Sequence, residues 1–122
     1  MTLADTVPVT RSILIVEDEA MIALMLEEYL DMLGHHVSGV AASIAEAEAL
    51  IERGGIDLAI LDCHLGGEEV WPVADRLMAD GVDVILSSGG SIAALPPRYA
   101  ACPMLQKPYT IGALDELLGS VS

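Results

Sequence analysis

The sequence predicts an α/β fold in which one parallel β-sheet carries helices on both of its faces. Short apolar runs recur along the chain, and four of them end in a polar residue. Between the runs, apolar residues recur at helical spacing, so strand and helix alternate. The chain has 122 residues, 53% of them hydrophobic and 20% charged, which fits a single folded domain of ordinary size. This alternation is typical of a parallel sheet that is buried on both faces.

The first predicted strand covers residues 13–16 and ends in Glu17 and Asp18. Residues 19–33 follow as an amphipathic helix, and Gly34 is the expected stop because glycine readily takes up the conformation that ends a helix. The apolar face of this helix carries Ile22, Leu26, Tyr29, Leu30 and Leu33.

The second predicted strand is short, over residues 37–40, and leads into a helix with a clear start signal. Ser43 and Glu46 form a capping box, in which the hydroxyl and the carboxylate accept hydrogen bonds from backbone amides at the helix start. The helix is predicted to end near Gly54.

The third predicted strand covers residues 58–61 and ends in a single acid, Asp62. The helix after it stops at Gly81 and has Pro72 in its first turn, where proline is tolerated. Its apolar face consists of Val70, Val73, Ala74 and Leu77.

The fourth predicted strand, residues 83–87, ends in a serine pair that is completed by Ser88. The connection over residues 89–99 contains Pro96 and Pro97. Because prolines remove amide donors and bias the preceding residue away from helix, the fourth helix is predicted to be short or irregular.

Residues 101–106 are the fifth predicted strand, and Lys107, the only lysine of the chain, follows at its end. Thr110 is then placed to cap a last helix. The apolar face of that helix carries Ile111, Leu114 and Leu118.

Five strand–helix units of this kind fit a flavodoxin-like, doubly wound sheet of strand order 2-1-3-4-5. Residues 12–122 form the predicted domain, and residues 1–11 are predicted to be a flexible N-terminal extension. Doubly wound sheets bind ligands where the strand order reverses, here between strands 1 and 3. Those strands end in Glu17, Asp18 and Asp62, so a ligand site is predicted there.

Composition excludes several classes of function. The net charge of −14 repels a phosphate backbone, so nucleic acid is not an expected partner.

No apolar run approaches the ~20 residues that span a bilayer, and the first eleven residues lack the features of a signal peptide. A cytoplasmic protein without membrane attachment is expected. Cys63 and Cys102 fall at opposite ends of strands that are not neighbours, so both are predicted to be free thiols.

The polar strand ends together predict phosphoryl chemistry. Three clustered carboxylates repel one another by about 4 kcal/mol per pair at ~4 Å, and a bound divalent cation removes that cost. Mg²⁺ fits because it uses one or two carboxylates together with waters and phosphate oxygens. Asp62, alone at its strand end, is the predicted nucleophile, while Lys107 and Ser88 are predicted to stabilise the phosphoryl oxygens.

The chain resembles a receiver domain of a two-component response regulator over residues 12–120. The residues that carry the resemblance are Glu17-Asp18, Asp62, Ser87-Ser88-Gly89 and Lys107-Pro108. The resemblance implies that Mg²⁺ is bound by Glu17, Asp18, Asp62 and the backbone carbonyl of His64. It also implies that Asp62 accepts a phosphoryl group from a histidine kinase or a histidine phosphotransfer protein. Alignment on Gly89 favours Ser88 over Ser87 as the hydroxyl that contacts the phosphoryl group, and both remain candidates.

Three features depart from the common receiver pattern. Met104 stands where an aromatic residue usually precedes the lysine, and Pro96-Pro97 cut the fourth helix short. No output domain is expected because the chain ends at Ser122. A stand-alone phosphoacceptor that signals to an unknown downstream protein, and is not a turnover enzyme, is therefore predicted. The alternatives are a magnesium-dependent phosphatase of related topology and a receiver-like scaffold that is never phosphorylated.

Overall fold

The computed structural model describes residues 10–65, 67–89, 96–99, 101–107 and 109–120. They form five strands, four helices and one short 3-10 turn. The strands are β1 (Ser12–Val16), β2 (His36–Ala41), β3 (Leu58–Asp62), β4 (Asp83–Ser88) and β5 (Met104–Gln106). The helices are α1 (Ala20–Met32), α2 (Ile44–Arg53), α3 (Trp71–Ala79) and α4 (Ile111–Ser120), and the 3-10 turn is Pro97–Tyr99.

All five strands belong to one parallel sheet of order β2-β1-β3-β4-β5, which confirms the predicted doubly wound, flavodoxin-like topology. The order reverses between β1 and β3, where Val16 pairs with Leu61. One position further along, Asp62 pairs with Ser87 of β4. The carboxyl ends of β1, β3 and β4 are therefore level with one another.

The two faces of the sheet bury separate apolar clusters, because side chains alternate along each strand. Leu14 and Val16 of β1 pack into the cluster that α2 and α3 cover. Ile13 and Ile15 pack into the cluster beneath α1 and α4. Ile60 and Ile85 belong to this second cluster, so Asp62 and Ser87, two residues further along their strands, lie on the same face of the sheet.

The predicted start signals of two helices are confirmed. The Ser43 hydroxyl accepts a hydrogen bond from the Glu46 amide at 3.2 Å, and the Glu46 carboxylate accepts one from the Ala42 amide at 2.9 Å. The Thr110 hydroxyl accepts one from the Ala113 amide at 3.0 Å. These side chains satisfy amides that have no partner within the helix, so α2 and α4 begin where the sequence predicts.

The fifth strand is shorter than predicted, since residues 101–103 form a turn. The Cys102 amide donates to the Tyr99 carbonyl at 3.0 Å, which bends the chain before Pro103. The Pro103 carbonyl accepts a hydrogen bond from the Leu86 amide. Because proline has no backbone N–H to donate to β4, the strand begins at Met104. The predicted short fourth helix falls largely on residues 90–95, which lie outside the described residues.

The start of β1 is tied down by side chains on neighbouring strands. Arg11, which the sequence assigns to the N-terminal extension, pairs with Asp83 at 3.3 Å, and its backbone amide donates to His35 Nδ1 at 3.1 Å. Residues 1–9 of that extension lie outside the described residues. Cys63 and Cys102 are free thiols, as predicted. None of the described helices is both long enough and apolar enough to cross a bilayer.

Candidate functional site

Three carboxylates meet at the carboxyl edge of the sheet. Glu17 and Asp18 follow β1, Asp62 ends β3, and one oxygen from each lies within 4.8 Å of the others. Glu17 and Asp62 are 2% exposed, whereas Asp18 is exposed to solvent. The predicted acidic residues are thus brought together, with two of them buried and one open to water.

Lys107 supplies the positive charge of this cluster. Its Nζ lies 2.8 Å from Glu17 Oε1 and 3.1 Å from Asp62 Oδ2, and its side chain is 13% exposed. The backbone amide of Lys107 donates to the Ser88 carbonyl at 2.9 Å, which fixes the residue at the end of β4. The aliphatic part of the side chain passes Gly89, where a Cβ would be 3.6 Å from Lys107 Cδ.

The electrostatics of the cluster are dominated by burial. Burial, with a smaller contribution from Asp62, raises the pKa of Glu17 from 4.5 to about 7, and the Lys107 ammonium and the Glu19 amide partly oppose this rise. Burial alone would lower the pKa of Lys107, but the two carboxylates outweigh it and raise that pKa. Lys107 is therefore protonated at neutral pH, while Glu17 is close to its titration point.

The two candidate hydroxyls at the end of β4 have different surroundings. Ser87 and Ser88 are both 1% exposed. The Ser87 Oγ accepts a hydrogen bond from the Tyr109 hydroxyl at 2.7 Å, so this hydroxyl is held on the side of the sheet that α4 covers. The bond uses Ser87 Oγ as an acceptor only, so both serines remain candidates for the hydroxyl that contacts a phosphoryl group.

The loop that follows β3 turns back on Asp62. The His64 amide donates to Asp62 Oδ1 at 2.9 Å, and the His64 side chain is exposed. The two oxygens of Asp62 thus have separate partners, His64 on one and Lys107 on the other.

A second polar cluster, not predicted from the sequence, joins α3 to the 3-10 turn. Tyr99 is fully buried, and its ring stacks on Trp71 with centroids 4.9 Å apart. The Tyr99 hydroxyl donates to the Trp71 carbonyl at 3.0 Å and to the Asp75 carboxylate. Arg98 donates two hydrogen bonds of 3.1 Å to the same carboxylate and lies 4.7 Å from the centre of the Tyr99 ring. These contacts attach the end of the β4–β5 connection to α3.

Comparison with known proteins identifies the family. The solution structure of SdrG from Sphingomonas melonis Fr1 superimposes with a TM-score of 0.83 at 41% identity, over 93% of this chain and 98% of SdrG. The chain belongs to the receiver domains of two-component response regulators. The BeF₃-activated conformation of SdrG from Pseudomonas melonis Fr1 matches this receiver at 42% identity, with a TM-score of 0.79, over 90% of this chain and 94% of that one.

A longer regulator also contains a segment similar to this receiver. The phyllosphere-induced regulator PhyR of Methylorubrum extorquens is 38% identical over 90 residues, which are 71% of this chain but only 32% of PhyR. No family model matches the chain. The shared part is thus a receiver, and most of the length of PhyR has no counterpart in the matched segment.

The acidic cluster of the receiver fits a hard divalent cation. It offers carboxylate oxygens, which Mg²⁺ prefers. The buried Glu17 Oε1 accepts no directed hydrogen bond from the described residues, although it lies within ion-pair distance of Lys107. The single ammonium of Lys107 offsets one charge among three clustered carboxylates, so a divalent cation beside them has a physical reason to bind.

The charged residues of this edge were predictable from the sequence, but Tyr109, whose hydroxyl bonds to Ser87 beside them, was not. Tyr109 is 4% exposed and lies two residues after Lys107. The available signal was its position, because a polar aromatic residue that follows a predicted strand end by so few residues lies close to that edge.

Proposed function

We propose that this receiver accepts a phosphoryl group on Asp62 from a phosphohistidine on a partner protein, in the presence of Mg²⁺. The observation that carries the proposal is the position of Lys107 Nζ, 2.8 Å from Glu17 and 3.1 Å from Asp62. A buried ammonium between two carboxylates, at the edge where Asp18 is open to solvent, matches the charges that a transferred phosphoryl group requires.

Each residue has a distinct part in the proposed reaction. A carboxylate oxygen of Asp62 attacks phosphorus, and the phosphorus–nitrogen bond to the donor histidine breaks with its electron pair staying on the ring. The ring takes up one proton from water and leaves as neutral imidazole. The product on Asp62 is an acyl phosphate. Lys107 moves from pairing two carboxylates to pairing the new phosphoryl oxygens, and the Ser88 hydroxyl donates a hydrogen bond to one of them.

Mg²⁺, when bound, neutralises charge on the phosphoryl oxygens during transfer. The residues that would hold it are Glu17, Asp18, Asp62 and the backbone carbonyl of His64. Asp18 is the exposed member and provides the approach from solvent, while Glu17 and Asp62 are buried beside it.

The proposed partners are proteins. The donor is a histidine kinase or a histidine phosphotransfer protein, and the signal then passes to a downstream protein through a changed surface. With a net charge of −14, this receiver is expected to bind partners through surfaces that carry basic residues.

Intact-mass spectrometry after incubation with Mg²⁺ and acetyl phosphate tests the proposal. We expect the addition of one phosphoryl group that is lost in base, and we expect none for Asp62→Asn. Asp80→Asn, which removes a carboxylate at the end of α3, is the matched control and is expected to be phosphorylated normally. No addition to the parent protein, or normal addition to Asp62→Asn, would contradict the proposal.

Two further measurements, turnover of an aryl phosphate ester and binding to a partner, separate the two competing functions. A phosphatase of related topology would use a second acid two residues after the nucleophile, and His64 occupies that position with an exposed side chain. Rapid turnover of an aryl phosphate ester would support the phosphatase. A partner that binds the parent and Asp62→Asn equally well, with neither protein phosphorylated, would support the scaffold.

A further inference from the structure

The hydroxyl groups of Tyr109 and Ser87 form a buried hydrogen bond beside the charged cluster. The two oxygens are 2.7 Å apart, and the residues are 4% and 1% exposed. Burial raises the pKa of Tyr109 to about 12, so the phenol is neutral and remains a donor at physiological pH. Because a buried hydroxyl without a partner is costly, each of these groups fixes the position of the other.

Two hydrogen bonds to β4 hold the chain at and just after Lys107. On one side the Lys107 amide donates to the Ser88 carbonyl at 2.9 Å. On the other side, two residues later, Tyr109 donates to Ser87. β5 is an edge strand of only three residues, all paired with β4, and the bond from Tyr109 to Ser87 extends its attachment to β4 beyond the last strand pair.

The place of the lysine backbone matters because its side chain is long. A lysine ammonium on a four-carbon stem has many accessible rotamers, and it reaches two carboxylates at once only from a restricted backbone position. Lys107 and Tyr109 line the same cavity of about 280 Å³ as Gly89 and two α1 side chains, Ile22 and Met25. The tyrosine ring thus lies close to the lysine that it follows in sequence.

We propose that Tyr109 is a positioning residue for Lys107, acting through its hydrogen bond to Ser87. The hydrogen bond between the two hydroxyls fixes the position of the end of β5 along β4. From this position the Lys107 side chain reaches Glu17 and Asp62. This inference rests on the proposed phosphoryl transfer for its effect on rate, but it also predicts an effect on metal binding that does not depend on transfer.

Two measurements on Tyr109→Phe distinguish positioning from general support of the fold. With Lys107 displaced, phosphorylation by acetyl phosphate is expected to slow by roughly two- to tenfold, the range that one ordinary hydrogen bond supports. Mg²⁺ affinity, measured by calorimetry on the unphosphorylated protein, is expected to rise by about two- to fivefold, because the competing ammonium is held less firmly on the carboxylates. A site that was merely loosened would show both a lower phosphorylation rate and a lower Mg²⁺ affinity.

Ser87→Ala removes the other partner of the bond and provides the internal check. Both single variants are expected to show the same pair of changes, and the double variant is expected to be no worse than either. Tyr99→Phe is the matched control, since it also removes a bonded hydroxyl from a buried tyrosine but lies against α3. It is expected to lower the melting temperature while leaving the Mg²⁺ affinity and the phosphorylation rate unchanged.

The outcomes separate this inference from the proposed function. If the parent is phosphorylated and Tyr109→Phe matches it in rate and in Mg²⁺ affinity, the positioning role is wrong and the proposed function stands. The role is also wrong if Mg²⁺ affinity falls together with the rate, or if Ser87→Ala acts while Tyr109→Phe is silent. If the parent itself is not phosphorylated, the proposed function fails, and a rise in Mg²⁺ affinity in both variants would still support the positioning of Lys107.

Discussion

The raised pKa of Glu17 predicts that the metal-free protein loses stability as the pH rises. Glu17 titrates near pH 7 in the folded protein and near 4.5 when unfolded. Between these values the folded state binds a proton that the unfolded state does not, so the free energy of unfolding falls as pH increases through this interval. Substitution of Glu17 by glutamine, which keeps the shape and removes the titration, is expected to abolish this part of the pH dependence.

The magnitude follows from the size of the shift. One pKa unit corresponds to ~1.4 kcal/mol, so a rise from 4.5 to about 7 sets an upper limit of about 3 kcal/mol. The Glu17 side chain is 1% exposed, so solvent screens the effect little. The nearby charges of Asp62 and Lys107 act on Glu17 and broaden its transition, and a difference of about 1 to 3 kcal/mol between parent and variant is expected. Lys107 itself titrates far above this interval and does not contribute.

Urea unfolding followed by the fluorescence of Trp71, the only tryptophan, provides the assay. Parent and Glu17→Gln are compared at about pH 5 and about pH 8 in the presence of a chelator. The advantage of the variant over the parent is expected to grow with pH, and Mg²⁺ is expected to remove most of it by taking the place of the proton. A difference between the two proteins that stays constant over this pH range would refute the reasoning.

Three further variants test other parts of the structure. Asp18→Asn removes an exposed carboxylate and is expected to lower the Mg²⁺ affinity measured by calorimetry by at least about tenfold. The free energy of unfolding is expected to change by less than about 0.5 kcal/mol, and an unchanged Mg²⁺ affinity would exclude Asp18 as a ligand. Tyr99→Phe removes the hydroxyl that bonds the Trp71 carbonyl and the Asp75 carboxylate, so we expect unfolding to become easier by about 1 to 3 kcal/mol and the Trp71 emission to shift, and an unaltered urea midpoint would contradict this. The hydrogen bonds from Arg98 and Tyr99 lower the pKa of Asp75 below 3.8, so their contribution is present above that pH and is lost as pH falls through the lowered value. Melting curves of Asp75→Asn and the parent should therefore differ at neutral pH and converge in strong acid, and an equal difference at both would count against the pairing.

The strand order and the charged site residues were predictable because each rests on local signals. Apolar runs that end in polar residues define both the strands and their carboxyl edge, so Asp62 and Lys107 could be placed at one edge before any contact was known. The Ser43 cap is equally local, because its hydroxyl reaches an amide only three residues away.

The contacts that support the site were not predictable, since they join residues far apart in sequence. Tyr109 and Ser87 are separated by 22 positions, and Tyr99 and Asp75 by 24. Neither pair has a spacing that indicates a bond, and each depends on how a loop packs once the sheet has formed. The early start predicted for β5 failed for a similar reason, because the hydrogen bond from Cys102 to Tyr99 overrides the apolar character of residues 101–103.

Mapping the modified residue tests the central claim most directly. Borohydride reduces an acyl phosphate to an alcohol, so treatment of the phosphorylated protein, followed by peptide mass spectrometry, identifies the residue that carried the phosphoryl group. Reduction is expected at Asp62 alone. Reduction at Glu17 or Asp18, or a phosphoryl group found on Ser87 or Ser88 instead, would contradict this expectation.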